Sequence, residues 1–240
     1  MNGRWYCSSP CFTSAAETEL SGLLTAEQEQ GNHISRMPLG LILISRGWLT
    51  GQNLREAIDG QKESGGEIGE LLVRHGFVSE KQVTACRAEQ WGCPVFSVPN
   101  HAIQGGIQIP STLMRLYSAI PLYYGIATKR LLVGFVEGIE YRLLYAIEQM
   151  TGCKTQPCFV TPSAFLTQMQ QNESISGRCG DSTPSEVMFE RFQTAEEMAQ
   201  ILCEYGINLE ADETIIGRCR EHLWARLKCG PREIDLLFKA

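Results

Sequence analysis

Apolar positions change their spacing along this chain, and the changes mark its organisation. Over 36–90 they recur at helical intervals. From 91 to about 171 the pattern turns to short apolar runs alternating with helical stretches. Segments 95–98, 119–123, 131–136 and 158–160 read as strands, and 111–117, 140–150 and 162–171 as helices, with Gly152 as the stop after Met150. Ahead of these, 15–30 forms a short helix with Leu20, Leu23 and Leu24 on one side. Residues 172–190 are polar and rich in Ser, Gly and Pro, the composition of a linker. Thr194 and Glu197 then make a capping box for a helix to about Tyr205, closed by Gly206. Segments 214–219, 222–227 and 233–238 read as three strands, the last two joined at Gly230-Pro231. The expected class is α+β: a helical tandem-hairpin repeat, a small α/β domain, and a C-terminal helix plus β-meander. The expected segments are an N-terminal extension (1–35), the repeat (36–90), the α/β domain (91–171), the linker (172–190) and the C-terminal part (191–240).

The helical region is an internal repeat. A shift of 29 residues aligns PLGLILISRGWLTGQNLREAIDGQ (38–61) with EIGELLVRHGFVSEKQVTACRAEQ (67–90), separated by KESGG. Leu39 matches Ile68, Gly40 matches Gly69, and Leu43 and Ile44 match Leu72 and Val73. Gly47 matches Gly76, Leu49 matches Val78, Leu54 matches Val83, and Gln61 matches Gln90. Each block predicts a helical hairpin. A short helix stops at Gly47 or Gly76, where a positive φ carries little penalty. Thr50 or Ser79 caps the second helix, with Gln82 completing a capping box. Pro38 suits the start of the first helix because it has no N–H to leave unpaired. Gly40 and Gly69 stand out. Glycine in a helical turn is destabilising by about 0.5–1 kcal/mol against alanine. Two at one offset point to something approaching the backbone closely, and helix-start N–H groups suit a phosphate. The Gln61 and Gln90 amides are candidate ligand groups or solvated side chains.

These residues resemble the MshEN motif, the N-terminal domain of type II secretion and type IV pilus assembly ATPases. That family repeats a 24-residue motif twice with a five-residue spacer: R-L-G, two aliphatics, G, two aliphatics, L, L and a final Q. Block lengths and spacer agree. The similarity runs on through GCPVF, IPLYYG, RLLVGFVE and TGCKTQPCFVTPSAF, covering about 36–170. The resemblance implies cyclic di-GMP bound across the two hairpins by Leu39, Gly40, Leu43, Ile44, Gly47, Leu49, Leu54, Ile58 and Gln61, and by Ile68, Gly69, Leu72, Val73, Gly76, Val78, Val83 and Gln90. Aliphatic side chains would cover the guanine faces, and an arginine fork would read guanine. No metal and no other cofactor is expected. The implied partners are secretion or pilus assembly proteins at the inner membrane.

The chain departs from the motif at its charged positions. Pro38 and Glu67 stand where the family has arginine, Trp48 and Phe77 replace aliphatics, and Arg87 replaces a leucine. Each bidentate arginine contact is worth about 1–3 kcal/mol. Losing two therefore removes roughly 2–6 kcal/mol, about 30- to 10⁴-fold in affinity. Arg36 and Arg87 are the candidate substitute donors. Two functions follow: a sensor with a weakened cyclic di-GMP site, or a protein–protein adaptor whose ligand site has decayed.

Composition narrows the rest. A net charge of −6 disfavours general nucleic-acid binding, and the second helices of the hairpins have no basic face. No apolar run approaches the ~20 residues of a membrane span, and the N-terminus lacks the apolar core of a signal peptide, so a cytoplasmic location without membrane insertion is expected. Ten cysteines form no C-x₂-C pair and do not cluster with the four histidines; Cys7 and Cys11 make a C-x₃-C pair. Neither a Gly-Lys dipeptide of a phosphate-binding loop nor a G-x-S-x-G or H-E-x-x-H motif occurs, so no enzyme is expected. The segment 193–240 is loosely similar to the small subdomain preceding the nucleotide site in these ATPases. Oligomeric state is not encoded legibly.

Overall fold

The computed structural model describes residues 1, 3–25, 36–97, 107–176, 186–191 and 193–239. Four helices make the repeat: α2 (Leu39–Ser45), α3 (Gly51–Ser64), α4 (Ile68–Arg74) and α5 (Glu80–Trp91). The expected local chemistry sets their ends. The Thr50 side chain accepts from the Asn53 N–H, and Ser79 with Gln82 forms a full capping box. Gly47 and Gly76 follow the short helices at φ 69° and 73°, in the left-handed region. Packing is crossed between the blocks. The short helix α2 lies on α5, and α4 lies on α3. Each hairpin thus completes the other, and neither is a unit alone.

The α/β part holds α6 (Ser111–Leu116), β1 (Ala119–Gly125), β2 (Arg130–Phe135), α7 (Tyr141–Thr151), β3 (Lys154–Phe159) and α8 (Pro162–Ser176). Its sheet has the order β1-β2-β3, with β1–β2 antiparallel and β2–β3 parallel through the α7 crossover. Gly152 ends α7 at φ 66°, as expected. The strand expected to start at 158 starts at Lys154, because β3 pairs along all of β2. The strand expected over 95–98 reduces to one bridge, Val95 to Phe159, among the described residues. Pro94 has no N–H to extend that ladder; residues 98–106 lie outside the described set.

The C-terminal part contains β4 (Glu186–Phe189), α9 (Ala195–Asn208), β5 (Glu213–Cys219), β6 (His222–Cys229) and β7 (Arg232–Lys239) in the order β4-β7-β6-β5. The meander is present, and β4 extends it in parallel beside β7. Three expectations change here. Within the span read as a linker, α8 continues to Ser176 and β4 pairs with the edge of β7 from Glu186; residues 177–185 lie outside the described residues. Gly206 does not end α9. Leu202, Tyr205 and Leu209 keep the apolar face running past it into the core, which outweighs glycine's low helix propensity. Finally, the stretch read as an N-terminal extension carries a helix that docks on the C-terminal part. Helix α1 (Ser9–Thr25) packs on α9, with Ala16 and Leu20 fully buried beside Met198, Ala199 and Leu202. The Arg218 guanidinium donates to the Leu23 and Leu24 carbonyls at the end of α1.

Polar ties join the parts. Glu186 accepts from Ser111 and Thr112 N–H at 2.7 and 3.0 Å, capping α6. Arg226, buried, forks onto Asp235 and donates to the Gln108 carbonyl. Glu140 pairs with Arg220, and Tyr117 donates to the Cys219 carbonyl. Among the described residues no helix is long and apolar enough to cross a membrane.

Candidate functional site

The motif residues converge on one cluster, but most of them face inward. Leu39, Leu43, Leu49, Leu72, Val78 and Val83 are buried together with Ile42, Ala57 and Cys86. Ile44, Leu54, Ile68 and Val73 are partly buried against them. Ile58 is 38% exposed. Gly47 and Gly76 are exposed turn residues.

Gly40 and Gly69 are both buried, and what approaches them is the chain itself. A Cβ on Gly40 would stand 2.7 Å from Leu54 Cδ1. A Cβ on Gly69 would stand 3.0 Å from Val83 Cγ1, 3.1 Å from Arg87 Nη2 and 3.2 Å from Leu39 Cδ2. The repeated glycines therefore serve close packing: each admits a branched side chain from the second helix of its own block. The protein atoms that approach these glycines closely are Leu54 at Gly40, and Val83, Arg87 and Leu39 at Gly69.

The two glutamines are also engaged internally. Gln61 Nε2 donates to the Gly66 carbonyl at 2.8 Å, and Gln90 Nε2 to the Met37 carbonyl at 2.7 Å.

The charged substitutions form a set. Arg87 is buried, donates through Nη1 to the Val136 carbonyl at 2.7 Å, and places Nη2 3.8 Å from Glu67. Burial lowers its pKa, while Glu137 and Glu67 act to raise it. The motif's arginine position thus carries a carboxylate, and a leucine position four residues before the end of α5 carries the cation that meets it. Sequence reading identified both departures but not their pairing. The signal available was their opposite sign within one block. Arg36, the other candidate donor, lies over Trp91 with its guanidinium carbon 3.5 Å from the ring centroid. The block-one counterpart of Arg87 is Ile58, so the ion pair breaks the repeat's symmetry, and the Arg87 bond to Val136 ties the second block to the α/β part.

Cys153 and Cys158 are buried in the α/β core rather than poised around a metal. Among the described residues no three His, Cys, Asp or Glu side chains converge on a common point.

No family model matches the chain. It is 28% identical over 130 residues to the type IV pilus assembly ATPase PilB of Thermus thermophilus, covering 53% of this chain and 15% of that protein. It is 26% identical over 142 residues to the bacteriophage adsorption protein B of Escherichia coli K12, covering 58% and 19% respectively. A solved structure of MshE with cdg covers 57% of this chain and 99% of its own, at 20% identity and a TM-score of 0.47. The chain thus matches less than a fifth of the length of those two curated relatives. In its two-block repeat with its spacer, and in its likeness in sequence to a pilus ATPase over about half its length, this chain resembles the N-terminal domain of type II secretion and type IV pilus assembly ATPases.

Proposed function

We propose that this chain is a regulatory binding module of secretion or pilus machinery that works by docking on protein, its nucleotide cradle closed by its own side chains. The observation that supports this reading is Arg87. Its guanidinium lies against Gly69 and is held there by the Val136 carbonyl and by Glu67. In the motif, that glycine and the residue at 67 would face the phosphates and guanine of cyclic di-GMP. Here a ligand would have to displace a buried cation and approach a carboxylate. The partner class is an inner-membrane component of a secretion or pilus assembly system, met from the cytoplasmic side.

Titration calorimetry with cyclic di-GMP separates this reading from the sensor reading. The natural chain should give no binding heat up to about 300 µM ligand, the scale of roughly −5 kcal/mol. A Pro38→Arg, Glu67→Arg, Arg87→Leu triple variant should gain binding if the scaffold is intact, with circular dichroism confirming its fold. Micromolar binding by the natural chain would overturn the adaptor reading in favour of the sensor. A pull-down from a host membrane extract that recovers no secretion or pilus component would count against both.

A further inference from the structure

Two thiols outside the repeat stand apart from the other cysteines. Cys7 precedes helix α1, and Cys11 lies in its first turn. Both are exposed, and their Sγ atoms are 3.2 Å apart. The local backbone holds them so. The Phe12 N–H donates to the Ser8 carbonyl at 3.1 Å, making Ser8 the residue from which the helix starts. Pro10, just inside the helix, has its φ fixed by its ring. Tyr6 and Phe12, one beside each cysteine, meet edge to face at 5.5 Å and pack against the core shared by α1 and α9. The two sulfurs are therefore brought together by residues that are themselves anchored.

The other described cysteines differ. Cys86, Cys153, Cys158 and Cys219 are buried. Burial pushes the Cys158 and Cys219 thiols up to about 12, so they stay protonated and inert. Hydrogen bonding from Ser8 and then from Cys7 holds the Cys11 thiol below its usual value instead. A metal is not the better occupant, because no third ligand from His, Cys, Asp or Glu reaches the pair among the described residues.

We propose that Cys7 and Cys11 form a redox-active dithiol that closes reversibly to an intramolecular disulfide on oxidation by a hydroperoxide. The Cys11 thiolate attacks the peroxide, the O–O bond breaks, and the leaving oxygen departs as water or alcohol after taking a proton. Cys11 is then a sulfenic acid. The Cys7 thiolate attacks that sulfur, the S–O bond breaks, and hydroxide leaves as water. Two thiols lose two electrons and two protons, and one peroxide is reduced. An accessible low-pKa thiol beside a resolving thiol is the arrangement such chemistry requires. In a reducing compartment the bond would be transient and regulatory rather than structural.

The test uses the full chain. Trypsin releases residues 5–36 as one peptide containing Cys7 and Cys11 and no other cysteine. After hydrogen peroxide, that peptide should be lighter by two hydrogens and refuse alkylation, and dithiothreitol should restore both thiols. Cys11→Ser should slow thiol loss from this peptide about tenfold, while Cys7→Ser should leave the first oxidation near its original rate and divert Cys11 to sulfinic acid. Both positions are exposed, so the variants should fold as the parent does. Two alkylatable thiols after peroxide, or sulfinic acid on the unsubstituted pair, would overturn the proposal. So would pairing of either cysteine with another one.

Discussion

Gln90 donates its side-chain amide to the Met37 carbonyl, 53 positions back along the chain, at 2.7 Å. Gln61 makes the counterpart bond to Gly66, only five positions on. Donors and acceptors are each related by the repeat's 29-residue shift, so one interaction occurs twice. Of the two, only the Gln90 bond joins the last helix back to the start of the repeat, beside the Arg46–Glu89 ion pair. Gln90→Ala should therefore lower stability by about 1 kcal/mol, the usual net worth of one such bond, and Gln61→Ala by less. Urea unfolding followed by circular dichroism measures both. Equal midpoints for the two variants would contradict this joining role.

The packing role of the motif glycines predicts the effect of filling them. Gly40→Ala places a methyl group 2.7 Å from Leu54 Cδ1 and 2.8 Å from Cδ2. Overpacking of this kind is destabilising by about 1–3 kcal/mol, against a helix-propensity gain of about 0.5–1 kcal/mol. A net loss of roughly 1–2 kcal/mol is expected. The double variant with Leu54→Ala should show favourable coupling between the two sites, since the shortened side chain leaves room for the methyl group. Additive losses in thermal melts would mean that Leu54 is not the obstruction.

Removing Arg87 and removing Glu67 should have unequal effects. Arg87 is buried and bonded to the Val136 carbonyl, while the Glu67 side chain is 58% exposed. Glu67→Ala leaves the guanidinium its carbonyl acceptor and should change stability by under about 1 kcal/mol. Arg87→Leu takes a charged donor from a buried carbonyl and should lower stability by about 1–3 kcal/mol. Hydrogen exchange should then rise at the contact between α5 and residue 136. Unchanged protection there would separate the ion pair from the joining of repeat to α/β part.

Acid should weaken the C-terminal sheet through His222. Its ring is buried on β6 and its Nδ1 has no hydrogen-bond partner among the described residues. Desolvation lowers its pKa below 6.5, with Lys239 acting in the same direction and Glu221 against. The folded protein thus holds His222 neutral where the unfolded chain has begun to protonate. The unfolded state binds more protons below pH 6.5, so stability falls as pH drops from there towards the folded pKa, and the loss is absent well above pH 6.5. His222→Gln should flatten that slope when midpoints of urea unfolding are compared at about pH 7.5 and 5.5. An undiminished slope would place the titration elsewhere.

Features written in adjacent residues were legible. The Ser79–Gln82 and Thr194–Glu197 boxes, the left-handed Gly47, Gly76 and Gly152, and both hairpins follow from local sequence. What escaped depends on distant partners. Strand β4 exists because β7, some 45 residues later, offers an edge, and nothing in Glu186–Phe189 announces that. Gly206 reads as a stop until Leu209 is seen packing beyond it. The repeated Gly40 and Gly69 correctly signalled close approach. The identity of the approaching group followed from how Leu54, Val83 and Arg87 lie, which is set by the crossing of the helices. The Glu67–Arg87 pair was readable as two departures of opposite sign, but their meeting required α4 and α5 in place.

The pairing of α1 with α9 has a bearing on synthesis. A ribosome makes Leu20 early, yet the surface that covers it, Met198 to Leu202, is made only after the 169 positions between Thr25 and Ala195. At about 5–20 residues per second, α1 waits roughly 8–35 s with its apolar stripe uncovered. The repeat has its own core, Leu39 to Cys86, complete before then, and the α/β part lacks only the side chains of Cys219, Trp224 and Leu237. Vectorial folding should therefore run from the middle of the chain outward, with the earliest helix among the last to dock.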